Sequence, residues 1–243
     1  MDDIVDINTL FGPQPSASAD LPVEALLTLM EKHQVAAACT LSTLGLLLDP
    51  SIGNSATRGA CGEQPKLVPV ATLNPTQFLG DPEPVRRLRD DGFAMLRFFP
   101  AMQGWPVDFH PFAALLKVVS EIALPIMIDI ELHGEISRLA PILRSYPGPV
   151  IVAGVGIGTL AEALCLLREH SNLHLEISKL LASGCLQAVA QAVGTDRVLF
   201  GSGAPAQPVA GPLYTLRYAG LPEPSIQQIL GANARRILQL RSQ

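Results

Sequence analysis

Three short runs carry polar side chains on alternate residues: Asp6-x-Asn8-x-Leu10, Met127-x-Asp129-x-Glu131 and His174-x-Glu176-x-Ser178. A β-strand sends every second side chain to the same face, so each run presents its set in one direction. If the ends of these strands meet, Asp129, Glu131 and Glu176 stand close together, and crowded carboxylates take up protons more readily and can exchange them with a ligand. Arg97, in Met95-Leu-Arg97-Phe-Phe-Pro100, supplies a fixed cation that could pair with Asp129 or Glu131 or hold an anionic ligand. The candidate catalytic residues are therefore Asp129, Glu131, Arg97 and Glu176. The candidate ligand-binding residues are Asn8, Arg97, Asp129, His174, Ser178 and Ser202. A plainer reading is that the carboxylates of a polar cavity are paired because unpaired burial is costly, and this structural or ligand-binding reading is preferred over acid–base catalysis.

Other chemistries fit the residues less well. The five histidines, His33, His110, His133, His170 and His174, include no pair at ligand spacing on one helix or strand; His170 and His174 straddle a helix-to-strand junction, and only His174 is kept for a site. Cys39, Cys61, Cys165 and Cys185 lie at unrelated spacings, which excludes a zinc ribbon or redox pair and leaves buried free thiols as the expectation. Ser178 and Lys179 make no nucleophile unit if adjacent strand residues face opposite ways. A single tryptophan, Trp105, is thin for a sugar platform. Gly154-Val-Gly156-Ile-Gly158 has the wrong third spacing for a dinucleotide cradle.

The elements that must position these residues alternate along the chain. Strand-like runs are expected at 3–8, 35–41, 67–73, 93–98, 125–130, 149–154, 172–177 and 197–202. Helical spacing of apolar residues falls between most of them. Val23, Leu26, Leu27 and Met30 form one face, with Asp20 as N-cap before Pro22. Phe112, Leu115, Leu116 and Val119 form another, and further copies begin at Leu160 and Cys185, with a looser one over Ile226, Ile229, Leu230 and Ile237. Continuously apolar strands such as Val150-Ile-Val152 suit a parallel sheet covered on both faces. The segment 42–66 reads as a long irregular loop over the mouth, and Pro205–Pro208 as a second. The expected fold is a distorted α/β, (β/α)8 TIM-type barrel in one domain over 1–243, with an open doubly wound sheet as the competing architecture.

Several segments together resemble the metal-dependent amidohydrolase superfamily, in the branch that includes decarboxylases and lactone hydrolases. Asp6-Ile-Asn8-Thr-Leu10-Phe-Gly12 is similar to its D-x-H-x-H-x-G strand, and Leu124-Pro125-Ile-Met-Ile-Asp129 to its L-P-v-x-i-H strand. Val150-Ile-Val-Ala-Gly154-Val-Gly156 is similar to a strand that ends in His, and Arg197-Val-Leu-Phe-Gly201-Ser202-Gly203-Ala-Pro205 to R-v-l-f-G-S-D-x-P. Ile229-Leu-Gly-Ala-Asn233-Ala-Arg235 matches the closing G-x-N-A-x-R helix. The resemblance implies a metal site at the strand ends, and this chain departs from the pattern at each of its ligand positions: Asn8, Leu10, Asp129, Gly154 and Gly203. Arg97 stands where the family often has a lysine near the metal. A catalytic divalent ion needs about three converging donors, and Leu10, Gly154 and Gly203 offer none. No cofactor is therefore expected, with a weak, oxygen-ligated divalent metal at Asp6, Asn8, Asp129 and Glu131 as the alternative.

The functional expectation is a barrel that binds a small polar or anionic molecule without metal-dependent hydrolysis. The alternatives are a hydrolase or lyase acting on a lactone, amide or carboxylated ring through its carboxylates and Arg97, and a non-catalytic scaffold or regulatory subunit. The formal charge of -5, with scattered Lys and Arg, gives no footprint for nucleic acid. An acidic start and interrupted apolar runs argue for the cytoplasm and against a membrane partner. A homo-oligomer is compatible with the sequence.

Overall fold

The computed structural model describes residues 3–14 and 20–240. Eight strands run in chain order around the sheet, and every neighbouring pair is parallel: β1 (Ile4–Phe11), β2 (Val35–Ser42), β3 (Leu67–Thr72), β4 (Met95–Phe98), β5 (Ile126–Asp129), β6 (Val150–Ala153), β7 (Leu173–Glu176) and β8 (Val198–Leu199). Backbone bonds bring the last strand back to the first: Ile7 N donates to Phe200 O at 3.1 Å, Gly203 N to Asn8 O at 2.9 Å and Leu10 N to Ala204 O at 2.9 Å. The expected (β/α)8 barrel is thus what forms, nearly closed, and each expected strand appears within a few residues of its place. β8 is reduced to two residues and β1 carries register shifts, which is the distortion.

The helices follow the apolar spacing. The chain places α1 (Val23–His33) after β1, α2 (Leu44–Leu47) and α3 (Pro50–Glu63) after β2, α4 (Glu83–Asp90) after β3, and α5 (Pro100–Gln103) and α6 (His110–Ile122) after β4. Then come α7 (Ala140–Ser145), α8 (Leu160–Glu169), α9 (Cys185–Val193), α10 (Ala210–Arg217) and α11 (Glu223–Gln227). A π-helical turn over Gln228–Ala232 leads into α12 (Asn233–Leu238). Phe112, Leu115, Leu116 and Val119 are buried on α6, as their spacing requires, and Leu160, Ala163 and Leu167 on α8. The closing segment ties down the shortest strand, because Asn233 Nδ2 donates to Thr195 O at 2.7 Å and to Val198 O at 2.9 Å. Among the described residues, no helix is long and apolar enough to cross a membrane.

Three expectations are corrected. The segment 42–66 is helical, not irregular: Asp49 caps α3 by accepting from Ser51 N, and Thr57 accepts from Ser42 N at 2.8 Å, so polar side chains supply the start signal and the anchor. Asp20 does not cap α1. Pro22 precedes that helix, and the Asp20 carboxylate accepts from Gln14 N at 2.9 Å instead. Cys165 is exposed, on the outward side of α8, while the other three cysteines are buried as free thiols.

Candidate functional site

The strands deliver their ends to one side of the barrel, and there a cavity of about 410 Å³ opens. Asn8 and Leu10 of β1, Arg97 and Phe99 from β4 and its end, Asp129 of β5 and Glu131 beyond it, Gly154 after β6, Ser178 and Lys179 after β7, and Gly203 after β8 all border it. The alternation argument therefore holds for Asn8 with Leu10 and for Asp129 with Glu131. Ser178 and Lys179 both border the cavity, because β7 ends at Glu176 and strand alternation no longer applies; the adjacent-residue argument against them is corrected on that point.

An ion pair lines this cavity. Arg97 Nε donates to one Asp129 carboxylate oxygen at 2.7 Å and Nη2 to the other at 2.8 Å, a two-point fork that fixes both side chains. The guanidinium lies over the Phe99 ring, 4.6 Å from its centroid, and its side chain is 5% exposed. Of the two partners the sequence allowed for Arg97, Asp129 is the one engaged; Glu131 lies 3.9 Å from Lys179 Nζ at the exposed rim. Two further carboxylates sit beneath the cavity. Asp6 is fully enclosed, and burial pushes its carboxyl up to about 6 against the lowering effect of bonds from Ser202 and from Asn8 N. Glu176 is also enclosed, and burial raises it to about 7, with the bonds from Ser178 Oγ (2.9 Å) and Ser178 N (2.7 Å) acting the other way.

Ser178 is the link between levels, since its Oγ donates to buried Glu176 and accepts weakly from Asn8 Nδ2 at 3.4 Å while the residue itself borders the cavity. Ser202 is completely buried: its N–H serves Asp6 and its hydroxyl accepts from Ala204 N, so it shapes the floor and does not border the cavity. His174 is likewise absent from the cavity wall. It lies two residues before Glu176 and therefore deeper in the barrel. Its Nδ1 is 3.0 Å from Asn172 O, and burial, with Arg236 and Arg197 nearby, lowers it to about 4. The same-face argument was right for His174 and Glu176, but a shared face does not mean a shared depth. Trp105 is buried against Phe112, at 4.7 Å between ring centroids, and is not part of the mouth.

Gly154 and Gly203 have left the ordinary backbone regions, with φ of +84° and +73°. A Cβ on Gly154 would stand 2.7 Å from Ile130 O, so a side chain there would be strained by both its backbone and its surroundings. Beside Gly203 the Gln207 amide fills the space, donating to Ser178 O and Ser202 O at 2.7 Å each and lacing the ends of β7 and β8 together. Gln207 was not foreseen. Its only sequence signal is its place in Pro205–Pro208, a loop expected over the mouth. Met102, Leu132 and Glu135 also border the cavity from short connections with no motif of their own. Among the described residues, no group of three or more His, Cys, Asp or Glu side chains is placed to hold a metal ion.

The family model for amidohydrolases matches residues 55–240, more than three quarters of the chain, and this protein belongs to that family. Among solved structures, a dihydroxybenzoic acid decarboxylase from Polaromonas sp. JS666, with bound manganese and the inhibitor 2-nitroresorcinol, superposes with a TM-score of 0.80 at 14% identity, covering 100% of this chain and 98% of that one. The 2,6-dihydroxybenzoate decarboxylase from Rhizobium gives 0.79 at 15% identity, covering 99% of each chain. The 5-carboxyvanillate decarboxylase from Sphingomonas paucimobilis gives 0.77 at 13% identity, covering 99% of this chain and 100% of that one. At these identities the likeness establishes the fold. A sequence search of curated proteins gave no match.

Proposed function

We propose that this amidohydrolase-family barrel holds a small polar molecule in its mouth and does so without metal-dependent hydrolysis. One observation carries the reading: the Arg97–Asp129 fork borders the cavity with both Asp129 oxygens engaged. Around it Leu10 offers hydrocarbon, and Gly154 and Gly203 offer no side chain. A tight divalent site needs about three converging donors and an open position, and this set of residues does not fit one. Arg97 takes the role of a built-in cation that neutralises the carboxylate. The test is elemental analysis of protein purified without added metal salts, including chelator-treated samples. Well under one zinc, manganese or iron per chain is expected, with unchanged thermal stability after chelation; a stoichiometric ion that leaves only with loss of stability overturns the reading.

A second reading rests on Glu176, whose carboxyl is raised to about 7 and reaches the cavity through Ser178 Oγ. A group poised near neutrality can give and take a proton, which favours a lyase or hydrolase that acts on a carboxylated ring, lactone or amide. Turnover of such compounds that disappears in Glu176→Gln supports it; turnover unchanged in that variant sinks it.

A further inference from the structure

The charge of the ligand can be read from the way the cavity's own charges are used. This step rests on the mouth being a ligand site. Two cations and three carboxylates border it: Arg97 and Lys179 against Asp129, Glu131 and Glu135. Both cations face carboxylates, Arg97 in a bidentate pair and Lys179 at 3.9 Å. Arg97 is bidentate to Asp129 and also acts on the buried carboxyls of Asp6 and Glu176, so one positive charge serves three acidic groups. Lys179 lies against Glu131, and among the described residues Glu135 has no ion-pair partner. The remaining wall is largely hydrocarbon, with Leu10, Phe99, Met102 and Leu132 facing the space; Met102 and Leu132 are 64% and 60% exposed at its edge.

We infer that the mouth selects an amphipathic cation, a primary or secondary ammonium on an apolar or aromatic body, with the body against Leu10, Phe99, Met102 and Leu132 and the ammonium at Glu135 and Glu131. A carboxylate would meet surplus negative charge where both cations already face carboxylates, and like charges set side by side are strongly unfavourable. An ammonium meets the reverse. It gains charge-assisted contacts with the rim carboxylates while its carbon skeleton covers exposed apolar surface. The expectation of a small polar or anionic ligand is narrowed by this inference, because Arg97, which could pair with Asp129 or Glu131 or hold an anion, is engaged by Asp129.

Three probes with nearly the same body separate the charge classes: benzylamine, benzyl alcohol and benzoate, titrated near neutral pH into the full chain labelled with ¹³C at the methionine methyls. Met102 is the methionine that borders the cavity, and its signal reports occupancy. Benzylammonium is expected to shift the Met102 methyl saturably and to bind at least about tenfold more tightly than benzoate, the step that one charge-assisted contact supplies. That advantage should shrink with added salt and fall to within a few-fold in Glu131→Gln/Glu135→Gln, both exposed or rim positions whose loss leaves the core untouched. Benzoate binding as tightly as benzylammonium, or a preference for the amine that survives the double substitution, overturns the charge assignment while leaving a ligand site in place. No saturable shift with any of the three overturns both the charge assignment and the binding reading.

Discussion

Arg97 and Asp129 hold each other in place through two short hydrogen bonds. Their fork is held in a site where Arg97 is nearly dry and Asp129 is 26% exposed, so removing the carboxylate strands a guanidinium that water reaches poorly. Breaking such a pair costs about 3 kcal/mol or somewhat less, given the partial exposure of Asp129, whereas replacing both partners by apolar residues of similar volume is often close to neutral. Asp129→Ala is therefore expected to lower the urea-unfolding free energy by about 2–3 kcal/mol, and Arg97→Met/Asp129→Leu by markedly less. A double substitution as damaging as Asp129→Ala would mean that the pair does more than neutralise itself. Gly154 makes a second residue-scale case. At φ +84° and with Ile130 O in the way, Gly154→Ala is expected to destabilise by about 1–2 kcal/mol, through strain at a left-handed position as well as crowding. Equal thermal midpoints for the two proteins would contradict the described turn.

At the scale of elements, the connection after β2 shows how polar side chains can organise a segment whose composition looks loop-like. Thr57 Oγ1 donates to Gly53 O and accepts from Ser42 N, both at 2.8 Å, in a fully buried position. Asn54 exchanges two bonds of 2.9 Å with the backbone of Thr72. Thr57→Val keeps the volume but leaves the Ser42 N–H without its partner, which costs about 1–3 kcal/mol. Faster amide exchange at Ser42 and through α3 is expected in that variant, with β5 to β7 protected as before. The strands around the site are short, four residues each from β4 to β7; β6 is continuously apolar, whereas Arg97, Asp129, His174 and Glu176 interrupt the others. Arg97 pairs in register with Met127, two residues before Asp129, and its long side chain spans that offset to reach the carboxylate.

Across the whole molecule, the enclosed titratable groups make stability depend on pH in a way that can be signed. Glu176 is raised from 4.5 to about 7 and Asp6 from 3.8 to about 6, so in that window the folded protein binds more protons than the unfolded chain and stability falls as pH rises. His174, lowered from 6.5 to about 4, acts oppositely: the unfolded chain takes up its proton first, and stability falls as pH drops through that range. Glu176→Gln removes one of the two alkaline-going losses. Relative to the parent, its unfolding free energy is expected to gain about 3 kcal/mol between the acid and neutral ends of the Glu176 window, the worth of a shift of this size. Parallel stability curves for the two proteins would show that Glu176 titrates normally.

The barrel was legible in the sequence because its determinants are local and repeated. Apolar runs covered on both faces, helical spacing between them and the closing Gly231–Arg235 segment each announce an element without reference to distant residues. The candidate site was half legible. Alternation put Asn8 with Leu10 and Asp129 with Glu131, and both pairs border the mouth, yet it does not rank residues by depth, so His174 and Ser202 are separated from Ser178 only once the strands are stacked. Nor could it pair Arg97 with Asp129 rather than Glu131, or bring Gln207, Met102 and Glu135 in from connections that carry no pattern. Chain order specifies which face a side chain takes. Which charges neutralise one another depends on distances across strands far apart in sequence, and only the closed barrel determines those.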